Sequence, residues 1–263
     1  MEAAFFDLDK TVVARSSSFA LTRPMFRAGL VSRLAVLRSA YAQFVYILIG
    51  ADERRMDRAK EAILRLSRGW DQAEVEELVR SVVIDLIHPY VYQEALDLME
   101  LHRSQGREVY IVSSSPQEVV RPLAEHFGVT NVIATQAGVE NGKYTGELAF
   151  YCYGEGKAEA IRELAEREGI DLQASYAYSD SHTDLPMLEE VGNPVAVNPS
   201  RELRRAAEQR GWPVRDFRHP VPLRTRIGAT TKRVSPVAAA LTAAGVAAVV
   251  GWVYLRPRRR EAS

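Results

Sequence analysis

The sequence predicts an α/β fold: a doubly wound, mainly parallel sheet, interrupted by an inserted all-helical segment and followed by a C-terminal transmembrane helix. Three observations carry this. Beyond residue 90, short apolar runs bounded by turn residues alternate with amphipathic helical patterns, the signature of repeated βα units. The first such run stands alone at residues 3–8, separated from the rest by a stretch with helical periodicity only. The third observation is a run without charge near the C-terminus, Val234 to Leu255.

The chain has 263 residues, 47% hydrophobic and 26% charged, enough for one large domain or a domain plus an insertion. Its 34 basic and 34 acidic residues cancel, so the charge balance gives no reason to expect a nucleic-acid partner. The single cysteine, Cys152, excludes an intrachain disulfide and reads as a small packed side chain. Glu2 and the pair Asp7 and Asp9 interrupt the N-terminal apolar stretch, so no secretory signal is expected there.

In chain order, "AAFFDL" is a buried strand. Residues 14–90 then read as a helical insertion, with "SRLAVLRSAYAQFVYILIG", "DRAKEAILRLSRGW" and "DQAEVEELVRSVVIDLI" apolar at helical spacing. A helix around 91–105 ends at Gly106. "REVYIVSSS" is a strand, "PQEVVRPLAEHFG" a helix, "NVIATQ" a strand, and "GVENGKYTGEL" a hairpin about Asn141 and Gly142. "GKAEAIRELAEREG" is a helix, and "ASYAYSDS" and "NPVAVNP" are further strands. The expected organisation is a core of 1–13 plus 91–217, a cap of 14–90, a linker of 218–233, a membrane span of 234–255 and a basic tail of 256–263.

As a helix, 234–255 is about 33 Å long, enough for a bilayer core. Trp252 and Tyr254 are placed as interfacial anchors. Lys232 and Arg233 favour a cytoplasmic main domain, whereas Arg256 and Arg258 to Arg260 favour a cytoplasmic tail. The expected location is the cell membrane, through a single-pass C-terminal anchor with the main domain on the cytoplasmic side. Oligomeric state is not legible.

Polar groups fall at strand ends, where open parallel sheets bind ligands. They are Asp7 and Asp9 after the first strand, Ser113 after "YIV" and Asp180 after "YAYS", with Lys157 at a helix start. Carboxylates converging from different strands need a cation, and hard oxygens beside phosphate suit Mg²⁺. Such a set suits attack of a carboxylate on a phosphoryl group, with a second carboxyl handling protons and a hydroxyl and an ammonium holding phosphate oxygens.

On these residues the chain resembles the haloacid dehalogenase superfamily, subfamily IB, in the subgroup similar to phosphoserine phosphatases. "FFDLDKT", "YIVSSS", Lys157 and "YSDSHTDLP" stand in that family's motif order. The resemblance implies a Rossmann-like core acting as a Mg²⁺-dependent phosphomonoester hydrolase. Asp7 is then the nucleophile, Asp9 the general acid/base and Thr11 a loop-fixing hydroxyl. Ser113 and Lys157 hold phosphate. Asp7, Asp180 and the backbone carbonyl of Asp9 hold the metal, and Asp184 supports it. A P-type pump and a receiver domain share parts of this pattern, but Val12 and Val13 replace the pump's Gly-Thr, and a receiver has no large helical insertion.

Phosphoserine phosphatases carry a cap glutamate for the substrate ammonium where this chain has Ser16, beside Arg15. The expectation is therefore a substrate other than phosphoserine, a small or amphiphilic phosphate. The alternatives are a catalytically silent membrane-anchored scaffold on the same fold and a phosphotransferase to an acceptor alcohol.

Overall fold

The structure, a computed structural model, describes residues 1–14, 64–65 and 67–219. Its sheet has the strand order β4-β3-β2-β1-β5-β6-β7. These strands are β1 (Ala3–Asp7), β2 (Glu108–Pro116), β3 (Asn131–Glu140), β4 (Lys143–Phe150), β5 (Tyr176–Ser179), β6 (Asn193–Val197) and β7 (Val214–Arg215). All neighbours are parallel except β3 and β4. That antiparallel pair turns at Asn141 and Gly142, whose φ values of 51° and 75° are those a tight two-residue hairpin demands.

The central strand β1 is buried along its whole length, and the reason lies in its side-chain alternation. Ala4 and Phe6 enter one apolar cluster, and Ala3 and Phe5 the other. The first cluster is completed by three helices, α1 (Gln72–Ile87), α2 (Gln93–Ser104) and α3 (Gln117–His126), through Val83, Met99 and Leu123 among others. The second is completed by α4 (Glu155–Glu168), α5 (Leu185–Glu189) and α6 (Arg201–Arg210), through Ile161, Met187 and Leu203. Helices therefore cover both faces, as a doubly wound sheet requires.

Helix α1 lies in the segment read as the cap, yet Val79, Val83 and Ile87 share the first cluster with α3. Asp71 caps it by accepting from the amides of Ala73 and Glu74, an arrangement worth about 1 kcal/mol. The two chain crossings at the other end of the insertion are tied together. The Ala14 amide donates to Tyr90 O at 2.7 Å and the Tyr92 amide to Val12 O at 2.9 Å, making a short antiparallel bridge beside β1.

Among the described residues no helix is long and apolar enough to cross a membrane. The expected span 234–255, the basic tail 256–263, most of the linker and the cap residues Arg15 and Ser16 lie outside the described residues. Helix α6 and the short β7 are additions to the sequence reading, which closed the sheet at "NPVAVNP".

Candidate active site

The strand order reverses at β1: the chain builds outward through β2 and β3, then returns to place β5 on the other side. The carboxyl ends of β1, β2 and β5 therefore border one crevice, the place where such sheets bind ligands. Asp7 ends β1, Ser113 lies near the end of β2, and Asp180 follows β5.

Lys157 enters from the first turn of α4. Its approach depends on two glycines. Gly154 caps the helix with φ 55° and ψ −121°, a conformation that favours glycine, and a Cβ on Gly156 would collide with the Tyr151 carbonyl. Lys157 is 2% exposed, and its ammonium donates to Asp7 Oδ1 at 2.6 Å and to Asp184 Oδ2 at 2.8 Å. Ser179 donates to the same Asp184 oxygen at 2.6 Å.

This centre carries more negative than positive charge. Burial pushes the Asp7 carboxyl well above the ordinary range, Lys157 opposes that, and Asp184 and Asp180 add to it. Burial likewise raises Asp180 to about 6, with Lys10 opposing and Asp184 adding. The Lys157 ammonium is held more firmly charged than usual because its two carboxylates outweigh its burial. Hard oxygen donors with an unbalanced negative charge fit a hard divalent cation. Among the described residues, no three His, Cys, Asp or Glu side chains close around a metal position.

Asp9 is held differently. Its Oδ2 accepts from Ser115 Oγ at 2.9 Å. The loop between Asp7 and Val13 is closed by backbone bonds, Lys10 N to Val13 O at 2.6 Å and Val12 N to Leu8 O at 3.0 Å, with Lys10 in the left-handed region at φ 64°. This corrects the expectation that the Thr11 hydroxyl fixes the loop: Thr11 Oγ1 is buried with no hydrogen-bond partner among the described residues.

The sequence matches the haloacid dehalogenase-like hydrolase family over residues 4–189, spanning all of these groups. The chain belongs to this family of hydrolases. A relative in Mycobacterium tuberculosis strain H37Rv named as a probable phosphatase is 52% identical over 255 residues, covering 97% of this chain and 89% of its own length. The phosphoserine phosphatase SerB1 of the same organism is 35% identical, covering 92% of this chain and 77% of its own. Among solved structures, a protein of unknown function from Bordetella pertussis Tohama I aligns with TM-score 0.71 and 30% identity, covering 82% of this chain and 98% of that one.

In this member of the haloacid dehalogenase-like hydrolases, the structure brings together Asp7, Lys157 and Asp184 by direct bonds and sets Ser113, Asp9 and Asp180 on the same crevice border. Three contributors were not singled out from sequence: Ser115, Ser179 and Thr135. Thr135 donates to Ser114 O at 2.8 Å and accepts from the Cys152 amide at 3.2 Å, fixing the serine loop. Cys152 itself is free and buried, and burial pushes its thiol up to about 12.

The raised Asp180 carboxyl has a consequence for stability. The folded protein holds that proton more tightly than the unfolded chain does, so no penalty exists below the ordinary value of 3.8, and the penalty grows as pH rises toward about 6. Above that it reaches about 3 kcal/mol in the metal-free protein. Asp180→Asn should therefore raise metal-free stability near pH 7.5 and leave it unchanged near pH 4. Urea unfolding in EDTA at both pH values checks this, and an equal effect at the two would refute it.

Proposed function

We propose that this hydrolase is a Mg²⁺-dependent phosphomonoesterase that works through phospho-Asp7. The observation supporting this reading most directly is the buried Lys157 bridge between Asp7 and Asp184 at the sheet's switch point. It fixes one carboxylate at the strand end, where a phosphoryl group can reach it, and offsets part of its charge.

In the first step an Asp7 carboxylate oxygen attacks phosphorus and the ester P–O bond breaks, while Asp9 gives its proton to the departing alkoxide. In the second, Asp9 takes a proton from water as the water oxygen attacks the phosphorus of phospho-Asp7. Inorganic phosphate leaves and both carboxyls return to their starting forms. Ser113 Oγ already accepts from the Ser115 amide at 3.1 Å, which leaves its own O–H to donate to a phosphate oxygen. Lys157 holds charge on the same side. Asp7, Asp180 and the backbone carbonyl of Asp9 would hold Mg²⁺, which would supply positive charge to offset that of the phosphate.

The substrate is read as a small or amphiphilic phosphomonoester. Ser16 in place of an ammonium-binding glutamate speaks against phosphoserine, although one relative carries that name. The uncharged run 234–255 is read as a cell-membrane anchor with the hydrolase domain on the cytoplasmic side.

The test is inorganic phosphate release by the full-length protein in detergent, on phosphoserine, sugar phosphates and lipid phosphates. Release should stop in EDTA and return with Mg²⁺. Release indifferent to EDTA would reject the metal, and no release on any class would reject the phosphatase. Appearance of phosphorylated alcohol in place of phosphate would instead mark a transferase.

A further inference from the structure

Ser115 has no part in the chemistry described so far, yet it is one of the most constrained side chains at the crevice. Alternation along "VSSSP" puts Ser113 and Ser115 on one side of β2 and Ser114 on the other. Burial follows that pattern: Ser113 is 0% exposed and Ser115 5%, while Ser114 is exposed. The β2–β3 register then breaks, because Ser113 pairs with Ala134 while Pro116 pairs with Thr135, so that two extra residues of β2 bulge out against one step of β3.

Bulges of this kind re-aim side chains next to active sites. This one is held in place by the Thr135 hydroxyl on Ser114 O, the Cys152 amide on Thr135, and the Ser115 amide on Ser113 Oγ. Its product is the 2.9 Å bond from Ser115 Oγ to Asp9 Oδ2, made across 106 residues of sequence. The two aspartates of "DLD" are thus anchored by different chemistry. Asp7 is gripped by the Lys157 ammonium, and Asp9 accepts from the Ser115 hydroxyl.

We propose that Ser115 is the positioning residue for Asp9: its hydroxyl, bonded to Oδ2, fixes the orientation in which the Asp9 carboxyl faces the leaving group. This rests on the phospho-Asp7 reading and adds a residue to it. A positioned acid matters only when the leaving alkoxide needs a proton, so the role is visible as a dependence on leaving group.

The experiment compares kcat/KM of the full-length wild type, Ser115→Ala and Ser115→Thr on an alkyl phosphate and on p-nitrophenyl phosphate, whose phenolate departs with little help. This ratio reports the steps up to loss of the alcohol. Ser115→Ala should lose about 30-fold on the alkyl ester and less than about 3-fold on the aryl ester, and Ser115→Thr should recover the alkyl reaction. Ser115→Cys, similar in shape but a weak donor, repeats the comparison if the alanine variant does not fold. Equal losses on both esters, no loss on either, or failure of threonine to restore the alkyl reaction would overturn the role of Ser115 alone. Wild type inactive on both esters, or Asp7→Asn as active as wild type, would overturn the phosphatase reading and this role with it.

Discussion

Asp7→Asn should lower phosphate release by about 10⁴-fold or more and abolish any hydroxylamine-sensitive phosphoenzyme, while the protein stays folded. The two effects belong together because an amide oxygen is no useful nucleophile, so no acyl phosphate can form. The fold should survive because Asp7 is a net electrostatic burden. Burial raises its carboxyl, and Asp184 and Asp180 raise it further, so a neutral amide relieves repulsion even as it weakens the contact with Lys157. Rapid acid quench after exposure to a ³²P-labelled phosphomonoester reads the phosphoenzyme, and thermal unfolding reads the fold. A variant that still turns over, or still accumulates label, would place the nucleophile elsewhere.

The part of this centre legible in sequence is the part governed by strand ends. Asp7 and Asp9 stood out because carboxylates inside an apolar strand have no comfortable structural reason to be there. Asp180 and Ser113 stood out as polar stops on apolar runs. Lys157 was marked by a helix start, which the two glycines then explained. The hydrogen bonds that hold these groups were not legible, because they join loops distant in sequence. Ser115 reaches Asp9 only through a bulge, and a register shift leaves no trace in an alternation pattern. Ser179 looks like an ordinary last strand residue until its hydroxyl is seen on Asp184. Thr11 shows the reverse case: the motif supplied a role for its hydroxyl, and backbone bonds took that role instead. The fold was easier, since the alternation that divides β1 between two clusters is written into "AAFF" itself. Helix α6 is a different case: Leu203, Ala206 and Ala207 stand at helical spacing against a heavily charged remainder, so its pattern was legible and the sequence reading passed over it.

Lys157→Met should cost both stability and turnover, and separating the two is what gives the result its meaning. Methionine keeps the length of the side chain and deletes the charge, leaving Asp7 and Asp184 buried without a counter-ion. Breaking a buried ion pair from one side costs about 3–5 kcal/mol, and that loss should be largest near neutral pH and shrink in acid as the carboxyls take up protons. Urea unfolding across pH measures it, and loss of an oxyanion-holding charge should also lower kcat by about 10²–10³-fold. The double variant Lys157→Met/Asp184→Asn removes one of the two stranded carboxylates and should regain much of the stability. Its turnover should stay low, because the phosphate oxygens still lack their ammonium. If the double variant regained activity along with stability, Lys157 would be a structural counter-ion only, and phosphate binding would have to rest on Ser113 and the metal. If Lys157→Met unfolded like the wild type at every pH, the buried bridge between Asp7 and Asp184 would not be present in solution, and the geometry supporting Asp7 as nucleophile would fall with it.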